Sequence, residues 1–406
     1  MKSALIALSL AAATSAALPL CGRAEAQPSR AAANEVLLRE RIPGVFARAE
    51  AQASHLIDAM AGDSKKLPRS WTRGKLFCEN PIGWTTGFFP GSLWLLHAYT
   101  GKPEWKTAAE EWTVRLDSAR HYTKNHDMGF MFFCSYGNGI KYGGHGDDYK
   151  AVIFDAAAAL STRWNEKLQL IRSWDWPPFM QFPVIIDSMM NLEMLEWVAK
   201  NGGDKNYDRI SRLHADKLDR TQFRPDDSVY HVTDWNPRTG KIWARYAWQG
   251  ACVDGAWARG QAWSVYGFTM MFRETGEKRY LERAKKSADW ILCAPNLPDD
   301  KIPYWDYYAH DIPAAPRDAS AAAIMASALL ELSGYVDEPA AGRYRERAVD
   351  MLLSLSSDAY LAADGECGGF LLKHSVGNYP EDTEIDASIN YADYYFLEAL
   401  LRFLGK

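Results

Sequence analysis

Along the chain one pattern of apolar and polar positions recurs. A helix apolar on nearly every face ends at a glycine-containing turn, and a second helix begins a few residues later with an aromatic. Leu93 to Thr100 runs into Gly101-Lys102-Pro103 and then Trp105, and Met189 to Lys200 runs into Asn201-Gly202-Gly203-Asp204 and then Tyr207. Trp263 to Thr275 runs into Gly276-Glu277 and then Tyr280, and Ala321 to Ser333 runs into Gly334 and Tyr335. Glycine just past a helix is the expected left-handed cap, and Pro103 suits the first turn of a new helix.

The two helices of each pair differ in kind. The one before the turn is apolar all round (Ile186 to Val198, Ala319 to Leu332), whereas the one after it is charged and amphipathic (Arg279 to Trp290, Tyr344 to Leu355). A helix apolar on every face must be buried on every face, so the pattern predicts an inner ring of buried helices wrapped by an outer ring. Another hairpin fits around Phe154 to Trp164, with Glu35 to Ala61 as an outer helix and Ala387 to Leu404 as the last inner one, giving about six hairpins. Strand-like alternation is confined to short stretches such as Ser228 to Thr233 and Lys241 to Ala244. The predicted fold is therefore all-α, an (α/α) six-hairpin barrel or toroid. A superhelical solenoid is the alternative, because periodicity alone does not say whether the ring closes.

Composition narrows the function. The 406 residues carry 46 Lys and Arg against 51 Asp and Glu, a formal charge of −5, which leaves no basic stripe for a nucleic-acid backbone. Nucleic acid is not an expected partner. The 16 Trp, 20 Tyr and 16 Phe make 13% of the chain aromatic, enough to line a core or a sugar-binding cleft. No linker divides the middle, so residues 27 to 406 read as one catalytic domain. Before it, Lys2, an apolar run from Ala4 to Leu20 and Ala24-Glu25-Ala26 read as a signal peptide over residues 1 to 26, removed on export to the periplasm. The run is too short for a membrane span. Leu20 directly before Cys21 makes a poor lipidation site. The five remaining cysteines are expected to be mostly buried free thiols, and the scattered histidines offer no zinc spacing.

In such a ring the loops that enter the inner helices converge on one end of the axis, and here they are loaded with polar residues. Asn125-His126-Asp127-Met128-Gly129-Phe130 places an acid in a glycine-containing turn beside aromatics. Asp187 stands alone at the start of an apolar helix, where it can cap the helix or, desolvated by its flanks, keep a raised pKa for general-acid work. Asp127 can likewise be a turn aspartate or the second of a pair. Two facing carboxyls push their proton affinities apart, and such a pair is the minimum kit for glycoside chemistry. Arg259 can be a structural ion-pair partner or a fork that captures a substrate carboxylate. His231 reads as a polar lining or a structural histidine, with a catalytic base as the third option. Trp84, Trp174, Trp257 and Trp263 can be core, sugar-stacking, or both.

Taken in order, these motifs resemble glycoside hydrolase family 88, the unsaturated glucuronyl hydrolases. The resemblance runs from about Gly83 to Arg402 through Gly83-Trp84-Thr85-Thr86-Gly87-Phe88-Phe89-Pro90-Gly91, His126-Asp127-Met128-Gly129-Phe130, Ile171-Arg172-Ser173-Trp174-Asp175 and Asp187-Ser188-Met189-Met190-Asn191-Leu192. It continues in Trp257-Ala258-Arg259-Gly260-Gln261-Ala262-Trp263, Arg317-Asp318-Ala319-Ser320-Ala321-Ala322 and Tyr391-Ala392-Asp393-Tyr394-Tyr395-Phe396-Leu397-Glu398-Ala399-Leu400. It implies a six-hairpin barrel acting on lyase-generated oligosaccharides that end in a 4,5-unsaturated uronate. A carboxylic acid protonates carbon 4, water adds at carbon 5, and the hemiketal opens and expels the sugar. Carried over, Asp187 is that acid and then the base for water, and Asp127 orients substrate and stabilises developing charge. Trp84, His126, Trp174, His231, Gln249, Trp257, Arg259 and Trp263 would hold the unsaturated ring. His374 and Ser375 would help read the second sugar or its sulfates, unless Lys373 to Asn378 is merely a surface turn. No metal or organic cofactor is implied.

Three other readings share parts of this pattern. Unsaturated rhamnogalacturonyl hydrolases have the same barrel and chemistry with pectin-derived substrates. A sugar epimerase would need facing histidine bases, where this chain offers isolated ones. A non-catalytic glycan-binding barrel would use the tryptophans but have no use for Asp127 and Asp187.

Overall fold

The computed structural model describes residues 28 to 406; the expected signal segment, with Cys21 and the Ala24-Glu25-Ala26 site, lies outside them. Helix α1 (Pro28–Ala59) leads into the hairpin β1 (Leu67–Thr72) and β2 (Lys75–Glu79), then α2 (Phe88–Thr100) and α3 (Pro103–Val114). A π-helical segment (Gly129–Gly137) continues into α4 (Asn138–Gly143), followed by α5 (Asp147–Ser161), β3 (Trp164–Asn165), β4 (Leu170–Ile171) and β5 (Pro183–Ile185). A 3-10 turn (Ile186–Asn191) opens α6 (Leu192–Lys200), and α7 (Asn206–Thr221), β6 (Val232–Trp235) and β7 (Ile242–Tyr246) come next. Four helices, α8 (Ala258–Thr275), α9 (Lys278–Leu292), α10 (Ala319–Ser333) and α11 (Ala340–Leu355), precede β8 (Ser388–Ile389) and α12 (Asn390–Leu404).

The ring closes. On the inside α2 packs on the 129–143 segment, that on the 186–200 segment, and this on α8, α10 and α12 in turn, with α12 returning to α2. Outside, α1, α3, α5, α7, α9 and α11 cover the seams. Every residue from Ala258 to Met271 in α8 is buried, and so is nearly all of α10, as all-round apolarity demanded. Closure joins ends distant in sequence: the buried Gln52 of α1 donates to the Glu366 and Phe370 carbonyls (2.8 and 2.6 Å) and accepts from the Gly365 amide (2.8 Å).

Where the pattern misled, the backbone explains why. The hairpin expected around Phe154 to Trp164 is instead α5 with the 129–143 segment, and Trp164 lies in a strand. The inner half of that hairpin is wound in π-turns, which erase the 3.6-residue period. It also carries Gly143, where a Cβ would sit 2.5 Å from the Trp94 ring. Gly101 and Gly276 are left-handed caps (φ 69° and 70°), but Gly334 is right-handed (φ −76°) and α11 starts only at Ala340. The cysteines also depart from expectation: Cys252 and Cys293 are exposed, and Cys78, Cys134 and Cys367 only half-buried.

Strands were foreseen at 228–233 and 241–244; they run Val232–Trp235 and Ile242–Tyr246, and join β5 in a sheet ordered β5-β6-β7. A second sheet, β2-β1-β8, had no sequence signal, since its members are short and polar (Leu67–Thr72, Lys75–Glu79, Ser388–Ile389). Strand β5 ends two residues before Asp187 and β6 starts directly after His231, so that sheet sets both residues in place. Among the described residues no helix is long and apolar enough to cross a membrane.

Candidate active site

Asp187 sits in the first turn of the 3-10 segment, with Ile185 at its cap position, so it is not the cap that the sequence allowed. It is 6% exposed, and its Oδ2 has no hydrogen-bond partner. Burial pushes its carboxyl up to about 7, against the pull of the Arg259 charge and the neighbouring Trp263 indole N–H. Asp127, 9% exposed, is pushed up to about 8 by burial and then by the charge of Asp187. The turn-aspartate role falls to its neighbour, because the Asn125 Oδ1 accepts from the Asp127 amide (3.1 Å). Repulsion between two buried carboxyls is mutual, and the pair holds a proton at neutrality. Asn191 donates to Asp127 Oδ1 (3.3 Å), with His126 Nε2 at 3.2 Å from the same oxygen. Asp187 Oδ2 receives no donor, while the Arg259 charge and Trp263 act on the same carboxyl, and burial raises Asp127 at least as far, so the proton belongs to the pair.

Two histidines complete the polar floor. Burial drives His231 down to about 3 and His126 well below its usual value, so both are neutral. His231 Nε2 is unpartnered and lies 3.9 Å from Asp187 Oδ2, beyond a direct hydrogen bond. Its Nδ1 lies 3.0 Å from the Ala247 carbonyl and 3.2 Å from the Gln249 amide nitrogen.

Aromatic rings wall the site. Trp84 stacks on Tyr391 (centroids 5.2 Å apart) and meets Phe130 (5.6 Å), which meets Trp263 (5.1 Å). Trp257 lies against His231 (4.3 Å), and Trp174 stands edge-on to His126 (6.4 Å). Trp84, Trp174 and Gln249 are half-buried, whereas Trp257 and Trp263 are buried.

Arg259 answers the question left open by sequence. Its fork is taken by protein: Nη1 lies 3.3 Å from Asp318 Oδ2 and donates to the Val376 carbonyl, and Nη2 donates to the Gly377 carbonyl (2.7 Å). With 1% exposure it is a structural ion-pair partner whose charge acts on Asp187, and its buried Nε has no partner. Gln249 Nε2 donates to the same Gly377 carbonyl (2.8 Å), so these two residues fix the 376–377 backbone. His374 and Ser375 are held by neighbours of their own. His374 Nδ1 lies 2.6 Å from Asp386 Oδ1, with its ring edge-on to Tyr360, and Ser375 is fully buried with its backbone paired to Ala387. Neither side chain touches the carboxyl pair.

The residue that sequence reasoning passed over is Asn191. Its Oδ1 accepts from the Gly129 and Phe130 amides (2.8 and 3.1 Å) while its Nδ2 reaches Asp127, so one side chain ties the two acid-bearing segments together. The available signal was its position, four residues after Asp187 in an otherwise apolar run. Gly129 is needed here too, since a Cβ would meet the Asn191 Cα at 2.6 Å. Among the described residues no three His, Cys, Asp or Glu side chains converge as a metal site would require.

A closed (α/α) ring with two buried carboxyls that share a proton among indoles is the arrangement of a glycoside hydrolase. No protein-family model matches the chain. It is 46% identical over 320 residues to an unsaturated glucuronyl hydrolase of Formosa agariphila, covering 79% of each chain. A crystal structure of an unsaturated glucuronyl hydrolase specific for heparin superposes with a TM-score of 0.85 at 41% identity, covering 89% of this chain and 97% of the other. A second solved structure of this kind, with the ligand dGlcA-Glc-Rha-Glc, gives 0.82 at 29% identity over 88% and 95%. The chain belongs to the unsaturated glucuronyl hydrolases, glycoside hydrolase family 88.

Proposed function

We propose that the protein releases the 4,5-unsaturated uronate from the non-reducing end of lyase-generated glycosaminoglycan oligosaccharides by hydrating the enol-ether double bond. The observation that carries this reading is Asp187: buried, with its carboxyl pushed up to about 7 and an unpartnered Oδ2 beside a second carboxyl.

Asp187 donates its proton to carbon 4, and positive charge develops at carbon 5 and the ring oxygen. Asp127, which accepts a hydrogen bond from Asn191, stabilises that charge in its ionised form. The Asp187 carboxylate then takes a proton from water as the water oxygen bonds to carbon 5, which restores the acid. The hemiketal opens to a ketone at carbon 5, and the hemiacetal left at carbon 1 expels the remaining sugar. One water is consumed and the acid is regenerated. Trp84, Trp257 and Trp263 shape the pocket around the ring, and Trp174 faces the next sugar. Arg259 and Gln249 contribute by holding the 376–377 backbone.

A glycosaminoglycan substrate is favoured by the heparin-specific relative at 41% identity and by relatives described as unsaturated chondroitin disaccharide hydrolases at 30 to 31%. The signal-like residues 1 to 26 support export and work in the periplasm, with 27 to 406 as the mature catalytic domain. The test is to mix the protein with unsaturated disaccharides from heparin, chondroitin, hyaluronan and pectin and follow the ultraviolet absorbance of the conjugated double bond. Loss of absorbance on a glycosaminoglycan disaccharide is expected. Loss only on the pectin fragment would move the substrate class, and binding without any loss would overturn the reading.

A further inference from the structure

An aromatic file leads outward from the catalytic pair. Trp174 stands against His126, which touches Asp127; Trp248 lies 5.9 Å from Trp174 at 31°; and Trp176 meets Trp248 edge-on at 5.7 Å. Phe179 adds a ring 5.7 Å from Tyr246. Exposure rises along the file. Trp174 and Trp248 are half-buried, Phe179 is 58% exposed and Trp176 64%, the highest value for any large apolar side chain among the described residues.

This is not a floppy loop that happens to carry indoles. Its start is fixed by the bridge between Asn125 and Trp174 and by Arg163, whose Nη2 donates to Asp175 Oδ1 (3.0 Å). Its end is fixed by the buried Asp234 carboxylate, which accepts from the Gln181 and Phe182 amides (3.0 and 2.7 Å). Trp248 adopts φ 54°, a left-handed conformation costly for a bulky residue, and such strain is kept where it aims a side chain. Rigid exposed indoles on one path offer flat apolar faces at low entropic cost, the surface that a sugar ring's C–H face fits.

We propose that Trp176 forms a distal subsite that stacks the third sugar of an oligosaccharide substrate, with Trp174 and Trp248 flanking the second. The proposal rests on the function given above, because the file begins at the pocket where the terminal uronate is placed. It makes the protein an enzyme that works better on chains longer than a disaccharide. The residues concerned are absent from the set that the sequence singles out, apart from Trp174.

The experiment compares the unsaturated disaccharide and tetrasaccharide released by one lyase from one polysaccharide, using wild type, Trp176→Ala and Trp174→Ala. Wild type should have the higher kcat/KM on the tetrasaccharide. Trp176→Ala should lower tetrasaccharide kcat/KM on the order of 5- to 10-fold, mostly through KM, and leave the disaccharide unchanged. Trp174→Ala should weaken both substrates. Equal rates of wild type on the two lengths, or a Trp176→Ala variant that affects neither or both alike, would overturn the subsite while leaving the hydrolase reading intact. Absence of turnover on either substrate would instead remove the hydrolase reading, and the subsite with it.

Discussion

Asp187 and Asp127 are two buried aspartates in different surroundings, and the proposed mechanism gives them different tasks. Burial raises both; Asn191 donates to Asp127, while the Arg259 charge acts on Asp187, whose Oδ2 receives no donor. In the proposed mechanism Asp187 starts protonated, and its carboxyl is raised to about 7, so loss of its proton should make kcat/KM fall tenfold per pH unit above that pH. Steady-state rates across pH check this, and a profile still flat at pH 9 would remove Asp187 as the acid. Asp187→Asn should cost about 10²- to 10⁴-fold in kcat with folding retained, by rate assay and circular dichroism. Asn191→Ala withdraws the amide from Asp127 and the acceptor from two backbone N–H groups. It should lower kcat/KM and cost about 1 to 3 kcal/mol in denaturant unfolding. Both carboxylates were legible in the sequence, as lone acids among apolar and aromatic neighbours. Asn191 was not, because an amide in an apolar run reads equally as a core hydrogen-bond partner. Arg259 was legible only as a choice, because the Val376 and Gly377 carbonyls it binds lie more than a hundred positions away.

The elements that hold these residues differ in how well their patterns show. The buried helices α8 and α10 announce themselves by all-round apolarity, and α9 and α11 by their charged faces. The 129–143 segment does not, because π-turns and glycines break its period just where it has to bring Asp127 up to the 186–191 turn. Gly129 is where that approach is tightest. Gly129→Ala should force the two segments apart, costing about 1 to 3 kcal/mol of stability and lowering kcat more than KM. Thermal melts and steady-state kinetics read the two effects separately. An unchanged melting point would show that the contact with Asn191 yields easily. The β5-β6-β7 sheet was half legible: two of its strands alternate visibly, while β5 is three apolar residues that merge into the helical run after it.

For the molecule as a whole, repeat counting gave six hairpins and left open whether they form a ring. Closure depends on contacts between ends more than three hundred residues apart, and no local pattern encodes those. Gln52 makes three of them from a fully buried position. Gln52→Ala should lower unfolding stability by about 2 kcal/mol, measured by urea denaturation, while kcat at a permissive temperature stays near wild type. Arg345 with Glu35, and Asn34 with Asp350, tie α1 to α11 along the same seam. Neither Asp127 nor Asp187 takes part in these contacts, so the seam's contribution is expected in stability and not in the proposed chemistry.

The central claim is that Asp187 places a proton on carbon 4 of an unsaturated uronate, and the solvent isotope in the product tests it most directly. Turnover of an unsaturated glycosaminoglycan disaccharide in D₂O, with the released acid examined by proton NMR and mass spectrometry, should show deuterium at carbon 4 and a ketone at carbon 5. Release of a uronate that keeps its double bond and carries no deuterium at carbon 4 would mean direct cleavage of the glycosidic bond, and would contradict the account.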